Sequence, residues 1–169
     1  MTAPLVSPLV AWLADLVSDQ ISALRSDRYP DAAGDVGYPM VNADRTVEAR
    51  YIGSALRPFA GGCRRLELSV DVRIAYRYAT DPTAVDAPDG EAATSTARLR
   101  CADDAALLRE ALLNAANYGA ASNGAVVVMI TPGDHTIDDP GDGALVGILP
   151  VLLVASYNPA DVAAGAALA

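Results

Sequence analysis

Arg64-Arg65-Leu66-Glu67-Leu68-Ser69-Val70-Asp71-Val72-Arg73-Ile74-Ala75-Tyr76-Arg77-Tyr78 is the stretch that decides the fold. Leu66, Leu68, Val70, Val72, Ile74, Tyr76 and Tyr78 take every second position, with Arg65, Glu67, Ser69, Asp71, Arg73 and Arg77 between them. Successive side chains of a strand point to opposite faces. This period of two therefore predicts one long strand, about residues 64–79, with a buried face and a wet one. A strand wet on one face belongs to an antiparallel or mixed sheet, because parallel sheets are covered on both.

Upstream of this strand, Leu9, Trp12, Leu13, Leu16, Val17, Ile21 and Leu24 recur at steps of three and four behind Pro8, which suits a first helical turn. They predict an amphipathic helix over about residues 8–25. Residues 26–39 are rich in Asp, Gly and Pro and read as a loop. A short strand is expected through Tyr38–Ala43, and a further strand through Val47–Ile52, where Val47, Ala49 and Tyr51 alternate with Glu48 and Arg50.

Downstream, residues 80–97 carry Asp81, Pro82, Asp86, Pro88, Asp89, Gly90 and Glu91, then Thr94, Ser95 and Thr96. They predict a long, mobile acidic loop. A second helix is expected over about 103–118. Asp103 and Asp104 stand at its N-terminus, Leu107, Leu108, Ala111, Leu112, Ala115 and Ala116 form its apolar face, and Gly119 caps it. Closing strands are expected over about 125–131 and 144–157, followed by an Ala-rich tail, 159–169. Pro150 cannot donate a ladder hydrogen bond, so the last strand should lie at an edge or bulge there. The reading is one domain, 1–169, of the α+β class: a mostly antiparallel or mixed sheet with two main helices packed on one face.

The 169 residues suit a single domain that buries roughly 70% of its unfolded surface. Net charge is −9, which disfavours nucleic-acid binding, since phosphate contacts need a basic patch. All the basic residues are arginine, and all lie between Arg25 and Arg109. Beyond Arg109 the charged residues are Glu110, Asp134, Asp138, Asp139, Asp142 and Asp161, so the C-terminal third is acidic. Cys63 and Cys101 read as free thiols of a reducing compartment. The apolar run Ala144–Ala155 is too short to span a bilayer, and the N-terminal stretch lacks the basic start of a signal peptide. No membrane association is expected.

A search for chemistry leaves no centre. His135 is the single histidine, and its Gly-Asp-His-Thr setting reads as a solvated turn. Asp134, Asp138, Asp139 and Asp142 do not match the spacing of a calcium loop. Gly61-Gly62 precedes a strand, whereas a phosphate-binding loop follows one. No cofactor or metal is expected, and no catalytic residue is assigned. Arg65, Arg73 and Arg77 occupy the wet strand face, where Glu67 and Asp71 can pair with them. They could also meet acidic segments of a second copy in a head-to-tail contact, the kind that closes into rings. The candidate subunit interface is therefore Arg65, Arg73 and Arg77 with Asp81, Asp86, Asp89 and Glu91. Asp134, Asp138, Asp139 and Asp142 form a candidate lumen or axial-contact loop.

The order of elements is an opening amphipathic helix, a turn-rich segment, the alternating strand Arg64–Ile74, the Ala/Leu helix Asp103–Leu112 and two closing strands. Over most of residues 8–157 this order resembles the tail-terminator and tail-completion proteins of tailed phages and related gene-transfer particles. The loop at 80–97 departs from the shortest members of that family. The resemblance implies a structural virion protein and not an enzyme. It implies a homohexameric ring that caps the tail tube, contacts tail-tube and neck proteins, and lets DNA pass through its lumen unbound. Such a protein is made in the host cytoplasm and ends in the tail or neck of the virion. Neighbouring readings are another head–tail connector or neck protein, or the cap of a contractile system. From a different class, a small enzyme or ligand-binding domain without a recognisable motif would show a deep pocket with titrating groups of shifted pKa.

Overall fold

The computed structural model of the chain describes residues 5–28, 45–58, 62–77, 90–139 and 144–160. Helix α1 is Val6–Arg28, strand β1 Arg45–Pro58 and strand β2 Arg64–Arg77. Helix α2 is Gly90–Leu113, and strands β3, β4 and β5 are Val126–Pro132, Thr136–Asp138 and Ala144–Tyr157. The sheet runs β1-β2-β5-β3, with β4 also paired to β5, and every pairing is antiparallel. Helices on an antiparallel sheet make this an α+β fold, as the sequence predicts.

The core follows from the alternation of β2. Leu66, Leu68, Val70, Val72, Ile74 and Tyr76 are all buried. Opposite them in register stand Ala155, Leu153, Val151, Leu149, Gly147 and Leu145 of β5, buried on the same face. Leu9, Leu13 and Val17 of α1, four residues apart, close over this face, as do Ala97, Cys101, Leu108 and Leu112 of α2.

Helix α2 departs most from expectation. It takes in residues 90–97 of the predicted acidic loop, including Glu91, Thr94, Ser95 and Thr96. Its buried stripe is Ala97, Cys101, Asp104, Ala105, Leu108 and Leu112, at steps of three and four. Asp103 and Asp104 are therefore mid-helix, not at an N-terminus, and Asp104 is fully buried. The helix ends at Leu113 rather than near 118. Asn114 leaves helical geometry at ψ 106° and accepts a hydrogen bond from Ala116 N–H, opening a short 3-10 turn, Ala115–Asn117. Gly119 therefore caps nothing of α2. Tyr118 ties this corner to the sheet: its hydroxyl donates to Leu112 O at 2.9 Å and accepts from Ile130 N–H at 3.2 Å.

Pro150 is also placed differently. It sits in the central strand β5, not at a sheet edge. β3 leaves β5 at Pro132↔Val151, and β4 joins it at Thr136↔Ile148. Pro150 faces the gap between them, and its carbonyl accepts from Gly133 N–H at 2.7 Å. The N–H and C=O of a residue in an antiparallel strand point to the same side. The missing donor thus falls where the neighbouring strand is interrupted, so no ladder bond is lost. The short strand β4 was not anticipated. Strand β1 extends beyond Val47–Ile52 on both sides and bulges at Ile52, where the register shifts between Tyr51 and Gly53. The strand expected through Tyr38–Ala43 and the tail from 161 lie outside the described residues, as do Tyr78, Ala79, Asp81, Asp86, Asp89 and Asp142.

Under α2 the packing is tight. A Cβ on Gly147 would lie 2.5 Å from Cys101 Sγ and 3.7 Å from the Tyr76 ring. Gly147→Ala should therefore overpack the core and cost about 1–3 kcal/mol. In thermal unfolding, Cys101→Ala combined with Gly147→Ala should melt higher than the sum of the two single effects. Strict additivity would show that the two groups do not compete for that space.

Candidate functional site

The face of the sheet opposite the helices carries the exposed chemistry of the fold. By register it presents Glu48 and Arg50 of β1, Arg65, Glu67, Ser69, Asp71 and Arg73 of β2, and Ile148, Pro150, Leu152, Val154 and Ser156 of β5. From β3 it presents Val126, Met129 and Thr131. Bulges add two apolar residues. Ile52 protrudes from β1, and Val128 protrudes from β3 where the register shifts between Val127 and Met129.

The two halves of this face differ in kind. On β1 and β2 the face is charged with both signs, and opposite charges stand across the strands at two positions, while Arg57 stands opposite Arg65. Glu48 stands opposite Arg73, and Arg50 opposite Asp71. Arg65 Nε lies 3.3 Å from Glu67 Oε1, and Arg57 Nε lies 3.8 Å from Glu67 Oε2. Arg57 is exposed while Arg65 and Glu67 are half-buried, and each pair contributes about 1 kcal/mol at most. On β5 and β3 the face is apolar, and Ile52, Val126, Val128, Met129 and Leu152 keep between 38% and 55% of their surface in water. Val128, Met129 and Val154 line a groove of about 250 Å³ with Arg65 and Ser156 at its side. A second, shallower hollow of about 370 Å³ lies along the same face, between Ile52, Leu152, Pro150 and Thr131. Soluble monomers rarely leave contiguous apolar patches of this kind in water, whereas protein–protein contacts use them.

The structure brings Arg65 and Arg73 onto this face, as their place in the alternating strand predicts. Arg77 closes β2 opposite Ala144. Of their proposed acidic partners, Glu91 belongs to α2, while Asp81, Asp86 and Asp89 fall outside the described residues. The acidic segment after β3 behaves in a way the sequence does not announce. Arg109 of α2 reaches Asp134 at 3.3 Å, and Arg98 of α2 reaches Asp139 at 3.0 Å. Two carboxylates of the predicted lumen loop are thus held by arginines of their own chain, with Asp138 in the short strand between them. Asp134 remains 97% exposed at its side chain. Among the described residues no three of His, Cys, Asp and Glu converge on a metal position.

One buried polar cluster was not anticipated. The Tyr76 hydroxyl donates to Asp104 Oδ2 at 2.8 Å inside the core. Cys101 lies beside both. Burial, followed by the nearby Asp104 carboxyl, pushes its thiol up from 9.0 to about 11, against a hydrogen bond with Tyr76 that lowers it. His135 lines a small hollow at this place together with Cys101 and Gly147, but is itself exposed. Cys101 is buried and packs tightly against Gly147, and its raised pKa disfavours the reactive thiolate at neutral pH. The burial of Asp104 carried little signal in the sequence, because an aspartate on a helix ordinarily faces water.

No known protein family matches the chain, and no curated protein matches it. Among the described residues, no helix is long and apolar enough to cross a membrane.

Both cysteines are free, Cys63 half-buried and Cys101 buried. In native protein at pH 7, a maleimide should label Cys63 at least 100-fold faster than Cys101, and the second thiol should appear only on unfolding. Because the folded thiol has the raised pKa, its contribution to stability is complete below pH 9 and disappears as pH rises toward 11. Equal labelling rates in the native state would contradict the burial of Cys101.

Proposed function

We propose that the chain is a structural subunit of a phage-type tail: the terminator, a ring-forming protein that closes the tail tube and joins it to the neck. The observation that carries this reading is the sheet face without helices, half apolar and half charged with both signs. A domain whose work is assembly needs such a face. A domain whose work is chemistry needs a recessed site with converging polar groups. The resemblance in element order, from the opening helix through the long alternating strand to the closing strands, supplies the specific identity. The two-layer α+β fold agrees with that order.

Charge fits the same function. DNA that must slide through a ring is best met by a surface that does not bind it, and the chain carries net charge −9. The segment 134–139 offers carboxylates at a sheet end, anchored to α2 through Arg98 and Arg109. We place this segment at the lumen or at the contact with the axial neighbour. The ion pairs to α2 are exposed and add at most about 1 kcal/mol each to its placement.

Light scattering on the purified protein should give about six times the 17.4 kDa chain mass, and negative-stain images should show closed rings. Antibody labelling of tailed particles that contain the chain should mark the head-proximal end of the tail. A compact dimer, or labelling spread along the tube or on the capsid, would overturn the assignment.

A further inference from the structure

The two edges of the sheet differ. At the β3 edge the chain covers itself. Val127 N–H donates to Gly119 O at 2.9 Å, Ile130 N–H donates to the Tyr118 hydroxyl at 3.2 Å, and Ala120 bridges to Val126. At the other edge lies β1, 14 residues long. Among the described residues its one strand partner is β2. About half of a strand's N–H and C=O groups point to each side of an antiparallel ladder, so β1 turns a row of them away from β2.

Apolar side chains fringe this edge on both faces of the sheet. Tyr51 and Leu56 stand opposite the core residues Val70 and Leu66, yet keep 45% and 55% of their surface in water, and Ile52 at the bulge keeps 55%. A long edge strand with an apolar fringe is a template for another strand. Two features bound the regular part of that template. The bulge at Ile52 breaks the register, and Pro58 has no N–H to give. Arg45–Tyr51 remains as an unbroken run.

We infer that β1 docks an extended strand from a different protein, which joins the sheet antiparallel along Arg45–Tyr51. Backbone hydrogen bonds supply the affinity, and side chains set the register. Glu48 and Arg50 are exposed and already face Arg73 and Asp71 of β2. They need not be free. A strand on the other side with a base opposite Glu48 and an acid opposite Arg50 continues both rows, whereas like charges there are unfavourable. The partner segment therefore carries an acidic and a basic residue two positions apart, with an apolar residue between them on the side of Ala49. A second copy does not fit this place in a ring. Its β3 edge is covered, and β1 against β1 is a two-fold contact that ends at two chains. This step rests on the terminator reading, in which the different protein is a neighbour along the tail axis.

The probe is a labelled, end-capped peptide with the sequence of residues 70–76, Val-Asp-Val-Arg-Ile-Ala-Tyr, which carries Asp71 and Arg73 at the required spacing. Binding to the intact protein is read by fluorescence anisotropy and should be saturable. The peptide is also N-methylated on one alternate set of amides, Asp71, Arg73 and Ala75, or on the other, Val70, Val72 and Ile74. One set should abolish binding and the other should leave it within about threefold, because a single edge of the peptide meets β1. Exchanging Asp71 and Arg73 in the peptide should weaken binding roughly tenfold. No binding up to about 0.5 mM protein, or equal effects of the two methylated sets, would overturn the inference. Light scattering on the same samples separates it from the ring reading. A hexamer that does not bind sinks the inference and leaves the ring. A monomer that binds with the alternating signature supports the inference and removes the ring. A dimer that dissociates as the peptide binds means that β1 holds a second copy, and overturns both.

Discussion

The pairing of β2 with β5 is the constraint on which the rest of the structure depends. It runs without a register shift from Arg64↔Tyr157 to Arg77↔Ala144, at the centre of the sheet. Once that register is set, the two apolar rows from Leu66 to Tyr76 and from Leu145 to Ala155 share one face. Both helices pack there, because that is the face whose burial stabilises the fold. A slip of one residue would turn the whole β2 row to water. The same register places Gly147 beneath Cys101 and Tyr76, where only a hydrogen fits, and leaves Pro150 facing the break between β3 and β4.

The pairing also fixes what remains exposed. Strand β2 is amphipathic, so its second face is content in water. Strand β5 is apolar on both faces: Val146, Ile148, Leu152 and Val154 lie opposite its core row. Strands of that composition are found buried on both sides. Fully burying one Val, Leu or Met contributes about 1.5–3 kcal/mol; Leu152, Val128 and Met129 keep 38%, 51% and 39% of their surface in water, so covering each would add about half of that. The apolar surface left in water on the open face comes from Leu152 of β5 with Val126, Val128 and Met129 of β3, because Val154 is already buried within the chain. In the proposed terminator this patch would be a place where one copy meets another.

Much of this was legible in the residues. The alternation of Leu66–Tyr76 and the continuous apolar run of 144–157 announce their strands, because a period of two and an unbroken apolar stretch have few other meanings. Helix α2 was half hidden. Among the positions whose burial is described, Ala97 and Cys101 open its buried stripe and are too small to draw one, and Thr94, Ser95 and Thr96 favour turns in their sequence setting. Asp104 is charged in the sequence yet lies in the core, where Tyr76 supplies its hydrogen bond. The pairs Arg98–Asp139 and Arg109–Asp134 join residues 41 and 25 positions apart, a spacing that local patterns cannot reveal. The groove at Val128 depends on a bulge, and nothing in Val126-Val127-Val128-Met129 marks where the register shifts. Arg65 and Arg73 were placed on the right face for the simplest reason: they alternate with the core row.

The most direct test of the account is the solution mass of the variant Val128→Asp/Leu152→Asp against the parent protein, with thermal unfolding measured on both. Two charges on the open face should reduce the assembly to the 17.4 kDa chain while leaving the melting of the isolated domain unchanged, because neither side chain belongs to the core. A variant that keeps the parent's mass, or a parent that is itself a stable monomer with that face in water, would contradict the claim that the open sheet face exists to be covered by another copy.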